Sequence, residues 1–161
     1  MSYVTPTTMA TGHKVTAAEW NQDVRDNVSE VYTRVNTKVW PINCVFEDEV
    51  LVVNSSVPVK TITIPIELNG AVLINADAVL YTPSTSGAVT VRLWNFNTAA
   101  NVCAAITIDQ DEYTSYTAAS QPVINALYDD VSTGDRIGFL VDGIGAGSKG
   151  LDVILTFMAA A

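Results

Sequence analysis

The chain has 161 residues and a formal net charge of −9, with 48% hydrophobic and 16% charged residues. That balance excludes a disordered tail, and its electrostatic field repels phosphate backbones and anionic headgroups, so nucleic acid is not an expected partner. Lys14, Arg25, Arg34, Lys38, Lys60, Arg92, Arg136 and Lys149 are scattered rather than clustered, and no run approaches the roughly 20 apolar residues that cross a bilayer, so membrane insertion is not expected either. The length suits one domain plus an appendage, and low charge with much Thr, Asn, Ser and Ala points to a surface covered by neighbouring subunits.

Residues 1–15 mix Thr, Met, Ala and Gly with Pro6 and show no periodicity, which predicts an extended arm that orders on a neighbour. The start has no charged region followed by a long apolar core, so no secretory signal is read there, and synthesis and assembly in a cytoplasm are expected. Residues 16–38 then predict an amphipathic helix. Thr16 is placed as the N-cap and Glu19 as its reciprocal partner three residues on, with Val15 and Trp20 at the staple positions around the cap. Trp20, Val24, Val28, Val31 and Val35 recur at spacings of four, four, three and four, a narrow apolar stripe along one side of a 3.6-residue helix. About two heptads are too few for an independent coiled coil. The stripe, with Val15, is therefore expected to attach the chain to identical helices or to a larger assembly, rather than to its own sheet.

From Val39 the pattern changes to strands, and residues 39–161 read as a single β domain. Thr61–Ile64 and Val89–Leu93 alternate apolar with polar residues, while Ile137–Val141 and Leu151–Phe157 alternate with less polar second faces. Further strands are predicted near 39–46, 49–53, 71–81, 101–109 and 121–128, separated by turn-rich pieces such as Asn69-Gly70 and Ser132-Thr133-Gly134-Asp135. The expected fold is mainly β: a jelly-roll-like sandwich of eight or nine strands, carrying an N-terminal arm and helix. Pro41 forbids helix and pushes Trp40 to an extended conformation, which sets the boundary near Lys38–Pro41. Pairing over long sequence separations implies slow folding. Cys44 and Cys103 sit in apolar strand contexts and read as two buried free thiols, with a single disulfide as the alternative.

Chemistry is sparse. His13 is the single histidine and lies in the arm, away from any nucleophile or orienting group. Glu47-Asp48-Glu49, Asp109 with Asp111 and Glu112, and Asp129-Asp130 are three acidic knots assigned to turn regions; they read as solvated loop charge. Asp109–Glu112 lacks the glycine and distal glutamate of an EF-hand loop, and GIGAGSKG precedes a strand and lacks the phosphate-loop order. No catalytic residue, cofactor or metal is expected. Trp94, Phe96, Tyr113 and Tyr116 are the aromatics placed to contact a ligand such as a sugar ring, or to be buried where subunits meet.

Gly12-His13-Lys14-Val15-Thr16-Ala17-Ala18-Glu19-Trp20-Asn21 with Val24-Arg25-Asp26-Asn27 resembles the G-x-x-[VL]-T-A-A-x-[WL]-N-x-x-[VL]-R-D-N segment near the start of many structural proteins of tailed bacteriophages, especially minor tail and fibre-like proteins. Leu68-Asn69-Gly70, Ile106–Asp109, Thr133–Ile137 and Lys149–Phe157 look like the small β domain that often follows that segment. The resemblance implies a non-enzymatic virion component that attaches or trimerises through its N-terminal segment and projects its sandwich, with other virion proteins and a host surface glycan or protein as partners. Fibre proteins are commonly longer, so a compact knob, a tail-tip piece or a capsid decoration also fits. The competing expectation is a carbohydrate-active or Ca²⁺-dependent sugar-binding jelly roll, which requires a carboxylate pair, such as Asp109 and Asp111, beside Trp94 or Tyr113.

Overall fold

The computed structural model describes residues 16–159, and the chain divides between Thr37 and Lys38 into two units. The first contains α1 (Ala17–Asn36). The Thr16 carbonyl accepts the Trp20 amide at 3.1 Å, the bond that opens a helix at its N-cap residue. One turn on, Gln22 Nε2 donates to Asp26 Oδ1 at 2.8 Å and Arg25 Nη2 to Gln22 Oε1 at 2.7 Å, so polar side chains at i and i+3 or i+4 support the helix. His13, Val15 and the rest of the expected arm lie outside the described residues, as do the side chains of Glu19 and Val35.

The second unit is a sandwich of two antiparallel sheets. Among the described residues its strands are β1 (Thr37–Val50), β2 (Lys60–Thr63), β3 (Val72–Thr82), β4 (Val89–Asn95), β5 (Ala100–Ile108), β6 (Val123–Ile124), β7 (Arg136–Gly143) and β8 (Lys149–Met158). The smaller sheet runs β1-β8-β3 and the larger β2-β7-β4-β5-β6. Adjacency of β1 with β8, β2 with β7 and β4 with β5 describes a long hairpin doubled over on itself, the jelly-roll arrangement. The pairing left over, β3 with β6, is replaced: β6 joins β5 through Cys103↔Ile124, and the outer edge of β3 takes isolated bridges from Thr114 and Asp130.

Alternation builds the core. Val89, Val91 and Leu93 of β4 and Ile137, Phe139 and Val141 of β7 are buried in one cluster with Leu151, Val153, Leu155 and Phe157 of β8, each strand sending every second side chain inward. In β3 the inward set moves from Leu73 to Ala76, Ala78 and Leu80, because the register against β8 shifts between Leu73 and Asn75 and an extra residue reverses which face the later side chains occupy. On the outer face of the smaller sheet, Asp152 of β8 accepts Asn43 Nδ2 at 2.8 Å and the Tyr81 hydroxyl at 3.0 Å, tying its three strands together with one carboxylate. That bond and the nearby negative charge push the Tyr81 phenol up from its ordinary value.

Three expectations change. The strand predicted at 39–46 runs on without a break to Val50, taking in the start of the one predicted at 49–53, and Pro41 lies within it. It is tolerated because β1 is an edge strand, where a missing N–H forfeits no ladder bond. The acidic run Glu47–Glu49 therefore lies in a strand rather than a turn. The strand expected at 121–128 shrinks to β6, because the Asn125 side-chain oxygen accepts the Leu127 amide at 3.2 Å and turns the chain.

Gly150 shows why backbone freedom is needed where β8 is flanked by both neighbours. Its φ is +61°, and a Cβ there would stand 2.7 Å from Glu47 Cα and 2.7 Å from Tyr81 Cδ2. Gly134 has a φ of +87° but open space around it. Gly134→Ala should cost only the left-handed penalty of roughly 1–2 kcal/mol, whereas Gly150→Ala adds overpacking and should cost roughly 2–5 kcal/mol in urea unfolding. Equal costs would show that the crowding at Gly150 relaxes freely.

Cys44 and Cys103 are buried and free. Burial, assisted by the negative charge of Asp152 for Cys44 and of Asp77 for Cys103, pushes each thiol from 9.0 up to about 12. The folded state thus keeps protons that the unfolded chain releases, so this contribution to stability is complete below pH 9 and is lost as pH rises from there toward 12. Denaturant unfolding across that window should show a decline that flattens in the Cys44→Ala, Cys103→Ala double variant.

Candidate functional site

The outer face of the larger sheet carries a hollow of about 280 Å³, lined by Ser55, Ser56, Arg92, Trp94, Phe96 and Leu140. The alternation that sends Val91, Leu93 and Asn95 inward sends Arg92 and Trp94 outward. Across the ladder to β7, Arg92 stands opposite Leu140 and Trp94 opposite Gly138. Gly138 leaves the space that the aromatic ring fills: a Cβ there would lie 2.7 Å from Phe96 Cε2 and 3.1 Å from Pro58 Cβ. The loop before β2 supplies the rim. Its Asn54 and Val59 amides donate to the Val141 and Phe139 carbonyls of β7, each at 2.8 Å, and the Asn54 side-chain oxygen accepts the Val57 amide at 3.1 Å, pinning the turn that holds Ser55 and Ser56.

Arg92 organises this face. Nε donates to Asp142 Oδ2 at 2.8 Å and Nη2 to Asp142 Oδ1 at 3.0 Å, while Nη2 also reaches the Ser55 carbonyl at 3.0 Å and Nη1 reaches Asn101 Oδ1 at 3.3 Å. The forked pair with Asp142 holds the guanidinium still more firmly protonated than usual. Its carbon lies 6.0 Å from the centroid of the Trp94 ring, and that of Arg136 lies 5.5 Å from the centroid of Phe96, within the range of cation–π attraction. Beneath, Asn95 Nδ2 donates to the buried Asp135 carboxylate at 3.1 Å. The Asn95 side-chain oxygen accepts the Asn97 amide at 2.8 Å, shaping the turn that follows Phe96.

Of the four aromatics placed as ligand contacts, Trp94 and Phe96 come together here. Tyr113 and Tyr116 do not: the Tyr113 carbonyl accepts the Leu80 amide at 2.8 Å, which puts that loop beside β3 of the other sheet, with both phenols exposed. Asp109 and Asp111 are likewise occupied locally. Asp109 Oδ2 accepts the Ala119 amide at 2.8 Å, and Asp111 Oδ2 accepts Gln110 Nε2 at 3.1 Å. The carboxylate on this face that pairs with Arg92 is Asp142. Arg92, Asp142, Ser55 and Ser56 were not among the residues singled out from sequence. Arg92 and Trp94 on β4 and Phe96 just after it stand two apart in sequence, a signal that was readable.

The expected attachment stripe is exposed: Trp20, Val24, Val28 and Val31 are between 44% and 64% accessible. Further apolar exposure lies on β1 and just after it, at Val39, Phe46, Val50, Val52 and Val53. Among the described residues no three His, Cys, Asp or Glu side chains are grouped to hold a metal ion, and no helix is long and apolar enough to cross a membrane. No family model, curated protein or solved structure matches the chain.

Asp142→Asn removes the negative half of an ion pair whose side chains are 23% and 32% accessible, so it should cost less than about 1 kcal/mol in denaturant unfolding. A much larger loss would mean that the pair is an essential brace of the sheet rather than a surface fork.

Proposed function

We propose that the chain is a non-enzymatic structural component of a tailed-phage virion, a homotrimer attached through its N-terminal arm and helix, with its sandwich projecting as a tail-fibre, tail-tip or receptor-binding head. The observation that carries this reading is the apolar stripe on α1, solvent-exposed at Trp20, Val24, Val28 and Val31 in a chain of low charge. Exposed apolar area of that kind in a soluble subunit marks a surface that another subunit covers. Val24, Val28, Val31 and Val35 fall at alternating a and d positions of a heptad, and β-branched residues at both positions favour three strands over two.

Edge pairing between copies is disfavoured. In the smaller sheet β1 is the open edge, and Glu47, Asp48 and Glu49 lie on it; two acidic edges brought together repel. Copies of the chain therefore meet through helices, and β1 is left for a different neighbour. The apolar residues Val39, Phe46 and Val50 on that same strand favour a second reading, in which the head lies against a capsid surface as a decoration.

Light scattering of the purified chain should return three times the 17.2 kDa chain mass. Val28→Asp should release monomers while leaving the β-sheet circular dichroism unchanged. A wild-type monomer, or a trimer that survives Val28→Asp, would remove the helix from the account. Location of the labelled protein on intact particles by electron microscopy separates the tail reading from the head reading.

A further inference from the structure

We infer that the hollow between the Ser55–Ser56 rim and Trp94 is a binding site for a single neutral pyranose ring of a saccharide. This rests on the head alone and is independent of how the chain assembles.

Size comes first. A volume of about 280 Å³ falls just below the roughly 300–1,000 Å³ that ligand sites span, enough for one ring and not for an extended chain. Charge comes second. Arg92 and Asp142 neutralise each other through two hydrogen bonds, so neither offers an uncompensated charge to an ionic ligand. The third consideration is the inventory of polar groups. Four of the five Arg92 N–H groups are engaged, leaving one on Nη1. Among the described residues no protein group pairs with the Ser55 and Ser56 hydroxyls or the Trp94 indole N–H. The hollow therefore combines aromatic surface, from half-exposed Trp94 and exposed Phe96, with donors and acceptors waiting for partners.

A flat apolar ligand would cover those polar groups without satisfying them, at a cost that opposes binding. A phosphate or carboxylate would gain one N–H and lose much of its hydration. A pyranose matches both halves, since its C–H face packs on an aromatic ring while its hydroxyls both donate and accept. Loop Asn54–Val59 is held to β7 at both ends by backbone hydrogen bonds, so little ordering cost is added on binding. A shallow, partly solvated site of this size implies weak, millimolar affinity.

The test is a titration of the full-length ¹⁵N-labelled protein with the methyl glycosides of glucose, galactose and N-acetylglucosamine. Binding of at least one of them should move the Trp94 indole N–H, the Arg92 Nε–H and the Ser55 and Ser56 amides together. Trp94→Ala should weaken that glycoside about tenfold or more, and Tyr116→Ala, on the loop beside the other sheet, should leave it unchanged. If Trp94→Ala does not fold, Ser56→Tyr fills the hollow from an exposed rim position and should abolish the shifts. No response to any of the three sugars overturns the inference, as does a response confined to the Tyr113–Tyr116 loop or one that survives both Trp94→Ala and Ser56→Tyr.

Discussion

The two-residue alternation of β4 against β7 from Val91 to Asn95 is the constraint on which the rest of the head depends. Leu93 opposite Phe139 closes the core, and the same register puts Arg92 opposite Leu140 and Trp94 opposite Gly138 on the far side. A slip of β4 by one residue would carry Val91 and Leu93 to the outer face and bury the Arg92 guanidinium in the core, so the register is enforced by every inward side chain of the strand at once. The outer hollow inherits this rigidity without a core of its own. Its floor, Leu140, is only 4% accessible although it points away from the sandwich interior, because the Ser55–Pro58 loop and the aromatic side chains lie over it. A surface feature is thereby held with the precision of a buried one.

The sheet edges are managed unequally, and the difference has consequences for assembly. In the larger sheet the edges are β2 and β6, of four and two residues, too short to template another strand. In the smaller sheet the outer side of β3 is covered, its Leu73 and Leu80 amides donating to the Asp129 and Tyr113 carbonyls at 2.8 Å. That leaves the fourteen residues of β1. An acidic run on the strand is the usual protection of such an edge against its own copies, yet Phe46 and Val50 on the same strand are exposed. A strand that repels itself and still presents apolar surface is suited to a neighbour of a different kind.

Much of this was legible in the sequence, for an identifiable reason. Val89–Leu93 and Leu151–Phe157 alternate cleanly because each has one buried face and one face that is at least partly wet, and they were read as strands within a residue or two of β4 and β8. Thr16 marked the helix start because an N-cap acts within its own first turn. Readings failed where the deciding partner was distant in sequence. The acidic run Glu47–Glu49 looked like a turn between two strands because nothing local says that β1 lies at a sheet edge, where charge is tolerated. The stretch 121–128 had strand-forming residues, but the Asn125 side chain ended it. The site follows the same rule. Arg92, Trp94 and Phe96 at spacing two form a visible stripe, whereas Asp142, 50 positions away from Arg92, joins them only through the β4–β7 register. Glycine at 138 gave no hint of its role, since the ring it accommodates belongs to another strand's turn.

Division of the chain into a helical unit and a sandwich gives the two proposed roles different energetic requirements. Attachment has to be strong, and a helix stripe supplies that only when several copies bury one another, since an isolated amphipathic helix of this length is marginal in water. Recognition through a one-ring hollow is intrinsically weak, because little area is buried and the polar groups exchange water for hydroxyls of similar strength. On a trimer the weakness is offset: once one head is engaged, the others meet the same surface at an effective concentration set by their spacing, and avidity rises by orders of magnitude with no new contact. Under the two proposals, weak single-ring binding and strong helical assembly are parts of one arrangement, in which each head releases readily and the assembled particle does not.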